Sequence, residues 1–195
     1  MTRLFPVVQA FSTRLARRER VGRARSAARA ALQASAARAG APAHLSWSSW
    51  PRDEDGAPAS LAGWHVSLSD TAGLAAAIAA PVPVALDVEW LGRPRWEVAR
   101  ERFRAEGELT LLGADDSLAV LSLWTAKEAL LKLRRVGLAD LGRCSLVRVT
   151  AQGEFVLLHG AGEQRVRVQR AGDHLLALAC DEAAAIELGT LAEVA

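Results

Sequence analysis

The sequence predicts an α+β protein made of two comparable halves, and three observations carry that prediction. An Ala- and Arg-rich stretch over 10–39 has no proline and reads as helix. Four short runs toward the C-terminus recur at about ten-residue spacing with Gly-containing turns between them, the pattern of a β-meander. Between these regions Ala80-Pro81-Val82-Pro83 interrupts the chain. The break separates an N-terminal half, 1–80, from a C-terminal half, 81–195, and no sequence repeat relates the two. With 195 residues, 51% of them hydrophobic, the chain can bury a real core.

The elements follow in order. The helical stretch 10–39 ends at Gly40 and Pro42. His44–Trp50 reads as a short strand, and Pro51–Pro58, with its Asp-Glu-Asp-Gly, as a polar loop. Trp64–Ser69 alternates like a strand, whereas Leu74–Ala79 is an apolar run of ambiguous type. After the break, Val84, Leu86 and Val88 alternate with Ala85, Asp87 and Glu89, which is strand periodicity. Helices are expected over Trp96–Arg104 and Glu106–Leu112. A long one covers Ser117–Arg134, with Ser117 as N-cap, Asp115 and Asp116 just ahead of it, and Gly137 as its end. The meander strands are Ser145–Thr150, Phe155–His159, Arg165–Gln169 and Leu175–Ala179.

Composition excludes some classes of function. No apolar run reaches the roughly 18 residues of a membrane span. Phe5–Phe11 is short and its charges follow it, unlike a signal peptide. Two cysteines, Cys144 and Cys180, have no metal-type spacing and read as buried thiols of a reduced, cytoplasmic protein. No Gly-rich phosphate loop is present. Charge is uneven. Residues 1–50 hold nine arginines against Glu19 alone, a surplus of +8, while the remainder holds 15 basic and 21 acidic residues, a net −6. A basic N-terminal third fits an anionic partner or a solvated helix face, and nucleic acid would leave the carboxylates below unexplained.

The residues that carry chemistry lie in the second half. Asp87 and Glu89 leave one face of a strand, and two like charges side by side repel unless a cation stands between them. Of 24 basic residues only Lys127 and Lys132 are lysines, both within Trp124-Thr-Ala-Lys-Glu-Ala-Leu-Leu-Lys132. Lysine supplies a compact point charge in place of a planar fork. From Leu118 to Leu133 the only charges are Lys127, Glu128 and Lys132. On so apolar a helix, charges are costly unless paired or bound to an ion. Glu128 and Lys132 stand four apart, in the favourable order for an ion pair. Asp87, Glu89 and Glu128 together suit Mg²⁺ held against a phosphorylated substrate, with lysine neutralising phosphoryl oxygens.

These segments resemble the 4′-phosphopantetheinyl transferases, which move phosphopantetheine from coenzyme A onto a serine of a carrier protein. The resemblance rests on Leu86-Asp87-Val88-Glu89, then Phe103…Glu108, then Trp124…Lys127-Glu128-Ala129…Lys132…Gly137-Leu138. It reaches back through His65-Val-Ser-Leu-Ser-Asp-Thr71. It implies a pseudo-twofold pair of similar α+β halves, each a small mainly antiparallel sheet on a long helix, in a monomer that binds no nucleic acid or membrane. It implies Mg²⁺ on Asp87, Glu89 and Glu128, and coenzyme A as donor, bound by Lys132, Lys127, Ser69 and Asp70. Glu128, helped by Glu108, would take the proton of the carrier-protein serine, and Lys132 would hold phosphate during in-line attack. Two positions depart from the family: Asp70 stands where it has His, and Gly56-Ala57-Pro58 lacks its loop cation. A donor-altered or impaired homologue acting as a carrier-protein-binding module is the other reading.

Overall fold

The computed structural model describes the chain except for residues 1, 2, 15, 48, 55, 95, 102–105, 113–116, 182–186, 189–191, 194 and 195. In chain order the elements are β1 (Arg3–Leu4), β2 (Val7–Ala10), α1 (Arg17–Arg38), β3 (His65–Thr71), β4 (Leu74–Ala80) and β5 (Val84–Trp90). Then come α2 (Trp96–Glu101), α3 (Glu106–Leu112), α4 (Ser117–Leu133) and a 3₁₀ turn, Leu138–Arg143. The chain continues as β6 (Cys144–Val149), β7 (Phe155–His159), β8 (Gly162–Ala171), β9 (His174–Cys180), β10 (Glu187–Leu188) and β11 (Ala192–Glu193). The α+β class stands. Two compact units emerge, one of Met1–Leu86 with Asp181–Ala195 and one of Asp87–Cys180.

In the first unit, β3, β4 and β2 run antiparallel and β11 adds in parallel to β2, while β1 pairs in parallel with β10. The helix α1 turns a stripe of Ala24, Ala27, Ala28, Ala31, Leu32 and Ala36 to this sheet at helical spacing. Every residue of β4 is buried, and its small alanines let the helix approach closely. Ser35, buried in α1, donates to the Phe5 carbonyl at 2.6 Å and accepts from the Ala79 N–H at 2.9 Å, which ties helix to sheet. Along this helix Arg18, Arg20, Arg23, Arg25 and Arg29 are exposed.

The strand expected over His44–Trp50 does not form among the described residues, which are turns and irregular chain. The tryptophans of this segment instead pack on each other and on Trp64. Trp47 stacks on Trp50 at 4.8 Å and meets Trp64 edge-on at 5.7 Å. The Trp50 indole N–H donates to the Ala59 carbonyl. The apolar run Leu74–Ala79, of ambiguous type from sequence, is strand.

In the second unit the sheet order is β5-β9-β8-β7-β6, with the meander β6 to β9 antiparallel throughout. The helix α4 lies on this sheet, where Val120, Leu123, Ala126 and Leu130 meet Leu157, Val166, Ala177 and Ala179. Residues 113–116 lie outside the described part, and with them Asp115 and Asp116, expected just ahead of the N-cap Ser117. Ser117 itself is the first helical residue. At its far end α4 stops at Leu133, not at Gly137. Arg135 takes φ +57°, its N–H reaches the Lys132 carbonyl, and the Val136 N–H reaches the Leu131 carbonyl. That is a Schellman ending with arginine where glycine is usual. The helix α1 ends in the same way on Gly40, at φ +72°.

Candidate active site

Trp124, Glu128 and Lys132 are spaced four apart, so they line one face of α4. Asp87 and Glu89, two apart, share one face of β5. The two rows meet. Lys132 Nζ donates to Asp87 Oδ1 at 2.6 Å, and Trp124 Nε1 donates to Glu89 Oε1 at 3.1 Å. The lysine that helical spacing matches with Glu128 thus bonds across to the strand. Arg93 adds a third link, because its guanidinium donates to the same Glu89 oxygen and lies 5.2 Å from the Trp124 ring centre. The turn after β5 aims Arg93 backward: its N–H bonds to the Trp90 carbonyl, and a Cβ on Gly92 would run into the Trp90 ring.

The electrostatics follow from this crowding. Burial pushes the Glu128 carboxyl up to about 7, and Asp87 and Glu89 add to the shift while Lys132 and Arg93 oppose it. Burial also raises Glu89, with Asp87 adding to the shift and Arg93 and Trp124 pulling it back. Three carboxylates therefore share two cations, and Glu89 and Glu128 keep their protons more readily than free carboxylates do. Oxygen donors with an excess of negative charge fit a hard divalent cation. Among the described residues no three His, Cys, Asp or Glu side chains already converge as a metal group.

Other expected site residues lie elsewhere. Lys127 and Glu108 are 2% and 3% exposed and bond to each other at 2.7 Å in the interior of the second unit. Glu108 Oε1 accepts the Leu146 N–H at 2.5 Å. Here Lys127 faces protein and not solvent, and Glu108 is closed off from a substrate hydroxyl. Lys127 and Glu128, neighbours in sequence, thus serve different faces of one helix. Ser69, half-buried, and Asp70, exposed, lie on β3 of the first unit. The nearby Ser67 hydroxyl is buried and accepts the Leu86 N–H at 3.0 Å. Phe103 of the resemblance lies outside the described residues.

Arg93, which the sequence pattern does not single out, also enters the site. Trp124 is packed in the core, at 3% exposure, and it also holds Glu89. The signal was the 124, 128, 132 stripe, which places an indole N–H beside the second strand carboxylate.

No curated protein matches the chain. The family model for the 4′-phosphopantetheinyl transferase superfamily matches residues 83–179. That segment runs from the start of β5 almost to the end of β9 and holds Asp87, Glu89, Arg93, Trp124, Glu128 and Lys132. By this match, residues 83–179 carry a domain of the 4′-phosphopantetheinyl transferase superfamily.

Proposed function

We propose that this protein transfers 4′-phosphopantetheine from coenzyme A to a serine of an acyl or peptidyl carrier protein, with Mg²⁺, as a cytoplasmic monomer. The observation that carries the reading is the facing of two rows, Asp87 and Glu89 on β5 against Trp124, Glu128 and Lys132 on α4. Asp87, Glu89 and Glu128 would hold the metal. When bound, the metal offsets negative charge on the pyrophosphate of the donor.

The chain's own groups account for the rest. Glu128, with a carboxyl that titrates at about 7, suits proton exchange with a serine hydroxyl near neutral pH. The serine oxygen forms the new bond to phosphorus, the pyrophosphate linkage breaks, and the adenosine bisphosphate half of coenzyme A leaves. Lys132, about a third exposed, can release Asp87 and place its ammonium on a phosphate oxygen. Trp124 and Arg93 keep Glu89 turned toward the cluster.

The test is mass spectrometry of apo carrier proteins from fatty acid, polyketide and nonribosomal peptide systems, incubated with this protein and coenzyme A, with and without Mg²⁺. A Mg²⁺-dependent gain of one phosphopantetheine arm supports the reading. No gain on any carrier sinks it. Asp70 favours one alternative, because an exposed carboxylate on β3 would repel a nucleotide phosphate. That alternative is a homologue with altered donor preference or one that only docks carrier proteins. Faster turnover of dephospho-coenzyme A would support altered preference, and tight Mg²⁺-dependent binding of coenzyme A would rule out pure docking.

A further inference from the structure

The chain uses arginine for 22 of its 24 cations, yet it places one of two lysines in the interior, where a charge is most costly. Lys127 Nζ sits 2.7 Å from Glu108 Oε2, and the second oxygen of Glu108 accepts the Leu146 N–H at 2.5 Å. Three elements therefore join at one buried carboxylate: α3 through Glu108, α4 through Lys127, and β6 through Leu146. Among the described residues the strand β6 is the last of its sheet, so Glu108 satisfies an N–H on that edge.

The position of Lys127 on α4 gives this junction a consequence. Successive helical residues are turned by about 100°. Fixing Lys127 against α3 therefore fixes the direction of Glu128, its neighbour, and of the Trp124 and Lys132 stripe above and below it. A hydrophobic pair would pack α4 against α3 but would slide more freely, because apolar contact is not directional. An ion pair with both ends hydrogen-bonded permits one arrangement. We propose that Glu108 and Lys127 are positioning residues that set the rotation of α4, so that Glu128 and Lys132 stand opposite Asp87 and Glu89. The proposal rests on the transferase reading for its functional consequence and on the geometry for its structural one.

The pair can be removed without stranding a charge. Lys127→Met with Glu108→Gln leaves no buried ion and keeps an acceptor for the Leu146 N–H. The double variant is expected to melt close to the unmodified protein. Its affinity for Mg²⁺ by calorimetry is expected to fall by about tenfold or more, as for groups that orient metal ligands. Its kcat is expected to fall while KM for the carrier protein changes little. Lys127→Arg in the native chain keeps the charge but lengthens the side chain, and it is expected to fold with a lowered kcat. A crystal structure of the double variant decides the geometric claim even if the native protein proves inactive. The Lys132–Asp87 bond, 2.6 Å in the native chain, is expected to be lost. A folded double variant with that bond intact overturns the proposal, as does one with native Mg²⁺ affinity and kcat.

Discussion

Lys132 Nζ lies 2.6 Å from Asp87 Oδ1, yet the two side chains differ widely in exposure, 35% against 4%. The pair is therefore asymmetric toward mutation. Lys132→Met leaves a carboxylate buried without its ammonium and is expected to lower stability by about 1–3 kcal/mol. Asp87→Asn leaves a lysine that can turn to water and is expected to lower it by less than about 1 kcal/mol. Urea midpoints of the two variants check the order, and both are expected to lose transfer activity.

Glu128 links stability to pH. Its carboxyl is raised from 4.5 to about 7 in the folded chain, so the folded state holds the proton more tightly than the unfolded state does. The sign follows: stability is full below about 4.5 and declines as pH rises toward 7. Glu128→Gln removes that decline. At pH 8 the variant is expected to be more stable than the native protein by on the order of 2 kcal/mol, and at pH 4.5 the two should match. Thermal melts across that range measure it. The same variant is expected to lose activity.

Mg²⁺ should act in the opposite sense to the crowded carboxylates. If the ion binds only the folded chain, the melting temperature at pH 8 rises with the logarithm of its concentration. Glu128→Gln is expected to flatten that dependence, and excess chelator to remove it. A native melting point indifferent to Mg²⁺ would contradict the metal assignment.

Arg135 occupies the left-handed position that closes α4, at φ +57°. An L side chain there is strained by roughly 1–2 kcal/mol, and glycine is not, although it has more freedom to lose on folding. Arg135→Gly is therefore expected to stabilise the protein by about 0.5–1 kcal/mol. Chemical denaturation of the variant against the native chain is the measurement.

Cys144 is buried beside the Lys127–Glu108 pair, and burial pushes its thiol up to about 11. Cys180 is buried as well. A thiol held neutral and enclosed reacts slowly. Iodoacetamide at pH 8 is expected to label neither cysteine in the folded protein and both in urea, as counted by mass.

Periodicity made the main parts of the site readable in advance. A two-residue step puts Asp87 and Glu89 on one side of a strand, and a four-residue step puts Glu128 and Lys132 on one side of a helix. What periodicity could not supply was direction on an element that is apolar all round. Lys127 and Glu128 both stand out from Leu118–Leu133, and nothing local says that the first turns into the core while the second turns to β5. Their partners lie far along the chain, Glu108 for one and the β5 carboxylates for the other. Non-local packing also decided the fate of 44–50, where Trp64 supplies a ring that local alternation cannot anticipate. The strands β1 and β2 escaped notice for a related reason. They are two and four residues long, and each takes a parallel partner from near the opposite end of the chain.

Those parallel pairs, Arg3 with Glu187 and Val7 with Ala192, make the second unit an insertion within the first. During synthesis, all of Asp87–Cys180 is complete before the tail that finishes the first unit's sheet has been made. The unit carrying the carboxylate cluster needs only Asp87–Cys180, within which β5 pairs with β9. The first unit must close a loop of nearly the whole chain, which is the slower event. Order of maturation is thus written into the topology: the unit carrying the carboxylate cluster is made before Glu187–Leu188 and Ala192–Glu193 pair with β1 and β2.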